Sequence, residues 1–224
     1  MMNQEILYTV VLSIRIGLIA TLINLPIAFL LSYLMSRKVF YGKSVVDGLI
    51  NLPMVMPPVT VGYLLLIVLG KNGFIGSYLF ESFGIRIAFT TTAAIIASMI
   101  VSFPLLARSI RVSIDMVDIN LERAALTLGA SKIKIFYTVI LPQIKSGVIS
   151  GTVLSFARCL GEFGATMTFA GNIENETRTI PLAVFAKLQI PGREKEAAFL
   201  VMISILISFI AMFLSSIVEK KGRS

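Results

Sequence analysis

Apolar residues in this chain fall into long blocks separated by short polar stretches. Five blocks stand out, from about Leu7 to Tyr33, Gly48 to Leu69, Ile87 to Ala107, Gly147 to Phe169 and Ala197 to Val218. Each is close to the roughly 20 residues that an α-helix needs to cross a bilayer. The pattern predicts an all-α, polytopic bundle of five spans, forming a single transmembrane domain over residues 1–224. Between the third and fourth blocks lies a polar, helix-capable island, LERAALTLGASKIKIFYTVILP, over residues 121–142. Leu121, Ala124, Ala125 and Leu128 recur at i, i+3, i+4 and i+7, the stripe of an amphipathic helix. Gly129 supplies a left-handed stop. Ser131 can cap a second helix whose apolar side includes Ile133, Phe136, Tyr137 and Ile140, and Pro142 limits its continuation. Periodicity alone allows two readings, a hairpin lying on the bilayer surface or a knob that docks a partner.

Charge decides which side the island occupies. One set of loops carries Arg37, Lys38, Lys43, Arg108, Arg111, Arg123, Lys132, Lys134, Lys145, Lys220, Lys221 and Arg223. The other carries Lys71, Arg86, Arg178, Lys187, Arg193 and Lys195, twelve against six. Glu81, Glu174, Glu176, Glu194 and Glu196 dilute the second set further. Because Lys and Arg govern orientation, the richer side is expected in the cytoplasm, with the N-terminus outside and the C-terminus inside. The same distribution accounts for the formal charge of +8 without nucleic-acid binding. Hydrophobic residues make up 56% of the 224 and mean hydropathy is +0.90, far from soluble usage. Histidine is absent and Cys159 is the one cysteine, so neither a disulfide within the chain nor a zinc or Cys/His site is expected. The first block lacks a basic leader and is too long for a signal-peptide core. Five spans enclose a pathway poorly, whereas a two-fold homodimer would enclose one on its axis.

Two blocks carry features that membrane anchoring does not need. The second contains Pro53, Pro57 and Pro58, followed by Thr60 and Gly62. Proline removes helix donors, and broken backbone at membrane depth is tolerated where it is buried in protein or lines a cavity. A kinked packing helix and a pathway wall are both compatible with it. The fourth block contains Arg158 and Glu162, four apart, which would share a helix face and pair. Intramembrane charges face the bundle interior or water, so the pair reads either as functional or as a packing device. Gly161 and Gly164 permit close backbone approach. Ser155, Thr60, Thr166 and Thr168 could offer neutral donors to an anion. Arg15 sits near the outer end of the first block, where snorkelling accounts for it.

The 121–142 island resembles the EAA motif of ABC-transporter membrane subunits, matching at Ala124, Ala125, Gly129 and the Leu141–Pro142 pair. Arg123 departs from it, the acid here being Glu122. Two further blocks are similar to the molybdate-permease branch of that family: Leu52-Pro53 through Gly76, containing VGYLLLIVLGKNGFIG, and GEFGATMTFAGNIENETRTIP from Gly161 to Pro181. The resemblance implies coupling helices at about 119–142 that seat in a groove on an ATPase, with Glu122, Arg123, Ala124, Ala125, Gly129, Ala130, Phe136, Leu141 and Pro142 at the contact. It implies a translocation pathway past Pro57, Pro58, Thr60, Ser155, Arg158, Glu162 and Thr166. It also implies a homodimer in a prokaryotic cytoplasmic membrane, two ATPase subunits, and an extracytoplasmic binding protein that delivers molybdate near Gly171 to Glu196. A short interfacial helix or a packed loop is expected from Ile180 to Ile190. No cofactor or metal is implied, and the absence of a GxxxxGK[ST] phosphate loop puts hydrolysis in the partner. Tungstate or sulfate/thiosulfate are the alternative substrates. A passive anion channel or ion-coupled carrier is the alternative class, which would need no cytoplasmic knob. An intramembrane enzyme is disfavoured because the spans hold no paired aspartates and no Ser–His arrangement.

Overall fold

The computed structural model describes residues 4–223, and side chains as far as Ile217. The expected span limit Val218 and the basic cluster Lys220, Lys221 and Arg223 therefore lie outside the described side chains. Helix is the only regular structure among the described residues, in the order α1 (Gln4–Arg37), α2 (Lys43–Val55), α3 (Pro58–Leu69), α4 (Gly76–Phe83), α5 (Thr91–Asp115), α6 (Ile119–Thr127), α7 (Lys132–Ile135), α8 (Leu141–Leu160), α9 (Gly164–Phe169), α10 (Ile180–Leu188) and α11 (Glu194–Arg223). A π-helical turn, Phe136–Ile140, joins α7 to α8. Four helical stretches are long and apolar enough to cross a membrane, or five if the bent α2–α3 pair counts as one.

The centre is α1, α5 and α8, held together by small side chains. Ala20, Ala28, Ala93, Ala94 and Ala97 are fully buried. Gly147 and Gly151 of α8 lie against Ser113 and Ser109 of α5, so close that a Cβ on Gly151 would stand 2.7 Å from Ser109 Cβ. Where apolar surroundings give water no role, small residues maximise dispersion contact between helices. Two of the polar groups inside tie α1 to α5: Asn24 Nδ2 donates to the Met99 carbonyl at 2.9 Å, and Ser32 Oγ to that of Ala107 at 2.7 Å. Large apolar side chains instead point outward, Met202, Ile205 and Phe209 of α11 among them. That inversion suits lipid or a second subunit as the surroundings.

At the end opposite the 119–142 segment, an ion cluster ties three helices. Lys187 Nζ lies 3.2 Å from Glu5 and 2.7 Å from Glu196, and Arg178 lies 3.8 Å from Glu5. The expected helix near Ile180–Ile190 is α10. The sequence reading did not include α4, where Lys71 and Arg86 both lie over the Phe80 ring.

The second block is not one helix. Met56 and Pro57 are extended, and α2 and α3 meet at 116°. Pro58 denies Met56–Pro57 a helical geometry and then serves as the first residue of α3, where its missing N–H costs nothing. The fourth block is also divided: α8 ends at Leu160 and α9 begins at Gly164. The expected stop at Pro142 does not occur. The π-helical turn widens the backbone just ahead of it, with Leu141 N–H donating to Phe136 O, and the chain stays helical from Lys132 to Leu160.

Candidate functional site

The two interrupted spans meet each other. A Cβ on Gly164 would stand 2.9 Å from Pro58 Cβ and 3.0 Å from Val59 N, and one on Gly62 would stand 2.7 Å from Ala165 O. The start of α3 is thus seated directly on α9, and the seam depends on these two glycines. Between α8 and α9 the carboxylate of Glu162 does two things. Its Oε1 accepts from Ala165 N–H at 2.8 Å, satisfying an orphan donor of α9. Its Oε2 lies 2.8 Å from Arg158 Nη1. The pair therefore forms across the end of α8 rather than along one helix face, because the helix stops at Leu160. Glu162 is 1% exposed and Arg158 31%, so the cation is the member that surroundings can reach.

The remaining pathway candidates separate by exposure. Pro57 and Thr60 are exposed and Pro58 is half-buried. Ser155 and Thr166 are fully buried inside the chain. Thr166 Oγ1 donates to Phe163 O at 3.0 Å and Thr168 Oγ1 to Gly164 O at 2.9 Å, so both hydroxyls serve their own helix. Arg15 is exposed on α1.

The 119–142 segment forms a projection built largely from its own caps. Asp118 accepts from Asn120 N–H at the start of α6, and Ser131 from Lys134 N–H at the start of α7. Gly129 takes φ 81°, with Gly129 N–H donating to Leu126 O and Ala130 N–H to Ala125 O, both 3.0 Å. This is the paired-bond closure of a Schellman turn. The apolar stripe is divided between the bundle and the surroundings. Ala125 and Ala130 pack against the cluster of Leu106, Ile110, Ile114 and Ile144, whereas Leu128 is 87% exposed and Leu121, Arg123, Ala124 and Gly129 are exposed too. In α7 the inward residue is Ile135, while Ile133 and Tyr137 point out. Phe136 meets Phe29 edge-on with centroids 5.2 Å apart. Leu141 is half-buried and Pro142 exposed. Glu122 is held by Arg37, Nη2 to Oε1 at 2.6 Å, so it faces the bundle rather than outward. Sequence spacing could not show this pair, whose members are 85 residues apart.

The same fold occurs in the crystal structure of a bacterial alginate ABC transporter in complex with alginate pentasaccharide-bound periplasmic protein. The TM-score is 0.76 at 14% identity, covering 95% of this chain and 77% of that one. The likeness shows the fold, an apolar helical bundle with interrupted spans and a two-helix projection at one end. The chain belongs to the family described as binding-protein-dependent transport system inner membrane component, whose model matches residues 24–224. It is 48% identical over 210 residues to the molybdenum transport system permease protein ModB of Haemophilus influenzae, covering 94% of this chain and 92% of that protein. It is 46% identical over 214 residues to ModB of Escherichia coli, covering 96% and 93%.

Proposed function

We propose that this chain is the membrane permease of an ATP-driven importer that takes up molybdate. The observation that carries the reading is its near-half identity to ModB proteins along almost the whole chain. Residues 1–224 act as one transmembrane domain. The basic loops orient it with the N-terminus outside and the 119–142 projection in the cytoplasm. Two copies pair about a two-fold axis, and two cytoplasmic ATPase subunits receive the projections. Leu121, Arg123, Ala124, Leu128 and Gly129 form the outward face that supports this docking. Hydrolysis belongs to those partners, because this chain lacks a phosphate-binding loop.

A binding protein delivers the oxyanion on the far side, near 171–196. The pathway passes the break between α2 and α3 and the break between α8 and α9. Interrupted helices near mid-membrane are where transporters build their ion and substrate sites. Closure of the ATPases on ATP moves the projections, and the bundle alternates between outward- and inward-facing states. Tight capture here would slow release, so exposed Thr60 and backbone amides suit a passage that admits the anion without holding it.

The deciding measurement is molybdate uptake with the cognate binding protein present, in competition with sulfate and tungstate. Molybdate is expected to outcompete sulfate. Sulfate competing equally well would overturn the substrate assignment, and uptake that survives loss of the ATPase subunit would overturn the importer class.

A further inference from the structure

At the projection end of the bundle, the arginines of α1 and α5 differ in their partners. Arg37 is paired with Glu122, and Arg111 with Asp47 and, at 3.9 Å, Asp115. Asp115 also accepts from Ser36 Oγ, and Asp118 is engaged as the cap of α6. Arg108, one turn from Arg111 on α5, is exposed and has no ion pair among the described residues.

Its position is specific. Arg108 stands where two cavities meet, one of about 360 Å³ that also holds Asp47 and Arg111, the other a groove of about 590 Å³ between α5 and α8. At the base of the groove Ser113 and Ser109 press closely on Gly147 and Gly151. Its walls include Ser109, Ser113, Gln143 and Ser146, and no acidic residue. Ser109 Oγ donates to Gly147 O at 2.9 Å and Ser113 Oγ to Ser109 O at 3.0 Å, so these two hydroxyl protons are committed. The guanidinium is the strong donor that remains, and its planar fork suits an oxyanion. The groove runs along α8 as far as Leu154. Arg158 follows four residues later, about one turn, on the same face. The groove therefore runs from the projection end of the bundle towards the helix break and stops about one turn short of Arg158.

We propose that Arg108 and this groove form an oxyanion station at the inner mouth of the pathway, which a tetrahedral dianion occupies after passing the breaks and before release. The proposal rests on the molybdate-importer reading and on the orientation given above. One cation facing neutral walls holds a dianion weakly, which is what a release station requires.

The test uses the assembled transporter, permease with ATPase subunits, reconstituted with the cytoplasmic face accessible. Ser146→Cys places a thiol on the groove wall, and buried Cys159 is controlled by labelling the unsubstituted protein. An anionic methanethiosulfonate reagent is expected to react about tenfold faster than a cationic one, from the Coulomb preference of a nearby unit charge even in high dielectric. Molybdate should protect the thiol. Arg108→Gln should abolish both effects, and Arg108→Lys should keep the reagent preference while weakening protection. If Arg108→Gln does not assemble, Arg108→Lys carries the test. Equal rates for the two reagents in the Ser146→Cys transporter, or protection undiminished in Arg108→Gln or in Arg108→Lys, overturns the station. Molybdate uptake by the unsubstituted transporter separates the two readings. Uptake without reagent preference defeats the station alone. Sulfate being transported and protecting, where molybdate does neither, defeats the substrate assignment and leaves the station standing.

Discussion

The guanidinium of Arg37, in the last turn of α1, grips Glu122 of α6 with Nη2 2.6 Å and Nε 2.8 Å from Oε1. A second arm, Nη2 to Val117 O at 3.0 Å, holds the approach to α6. No residue of α6 is fully buried, so this grip adds to the packing of Ala125 and Ala130 in fixing the angle at which the projection leaves the bundle. The acid in the EAA-like motif thus positions the projection on the bundle.

Replacing Glu122 with Gln should loosen the projection by about 1.5–3 kcal/mol, the range for hydrogen bonds to charged groups. ATPase activity stimulated by the binding protein should fall more than basal ATPase activity does. The exchange Arg37→Glu with Glu122→Arg should recover part of the loss, since the pair is inverted in place. Equal activity of the single variants and the double variant in proteoliposomes would remove the pair from the coupling route.

The seam between α3 and α9 predicts a contrast among three glycines. A methyl on Gly164 meets Pro58 and Val59 backbone, and one on Gly62 meets Ala165 backbone, all at 3.0 Å or less. Gly164→Ala and Gly62→Ala should each cost about 1–3 kcal/mol through overpacking. Gly161→Ala meets nothing nearer than 3.8 Å and should change stability by about 0.5 kcal/mol or less. Thermal unfolding in detergent, followed beside uptake, checks the order. Gly161→Ala matching the other two would show that the seam is not where packing is critical.

Glu162→Gln should preserve the bond from Ala165 N–H and lose the charge pairing with Arg158. Glu162→Ala loses both, leaving an orphan donor and an unpaired cation. One member of the pair remains 31% exposed, so the larger loss belongs near the lower end of the roughly 3–5 kcal/mol seen for broken buried pairs. Uptake and the melting point should both rank wild type above Gln and Gln above Ala. A transport defect in Glu162→Gln with an unchanged melting point would show that the charge acts on the passing anion and not only on the fold.

How much of this was readable beforehand differs by feature. Apolar block length located α1, α5 and α11, because a membrane span must satisfy its own backbone over a fixed distance. The prolines located the break at Met56–Pro57, and the Gly129 turn and the Ser131 cap followed from local backbone chemistry. Block length failed where apolar runs hide a change of direction. Nothing apolar marks the end of α8 at Leu160, and the π-helical turn that accommodates Pro142 has no compositional signature. Periodicity marked the 121–142 stripe as apolar, but it reports that a face is apolar and not what covers it. Contacts distant in sequence, Arg37 to Glu122 and Gly62 to Ala165, were beyond any spacing argument.

Gly129 separates backbone shape from contact at the tip of the projection. Its φ of 81° disfavours any Cβ, yet a Cβ placed there meets no atom within 4 Å. Gly129→Ala should therefore cost about 1–2 kcal/mol of local strain, the ordinary penalty for a left-handed residue, and weaken coupling partially. Asp visits that conformation more readily than Ala, so on backbone grounds alone Gly129→Asp should be the milder change. If the turn lies against the ATPase, the order reverses: Asp drives a charge into the contact and should abolish uptake while the permease still inserts. The measurements are uptake, permease content of the membrane, and co-purification of the ATPase subunit. Loss of uptake and co-purification in Gly129→Asp, with partial function in Gly129→Ala, places the turn at the contact. Normal uptake in Gly129→Asp would take Gly129 out of it.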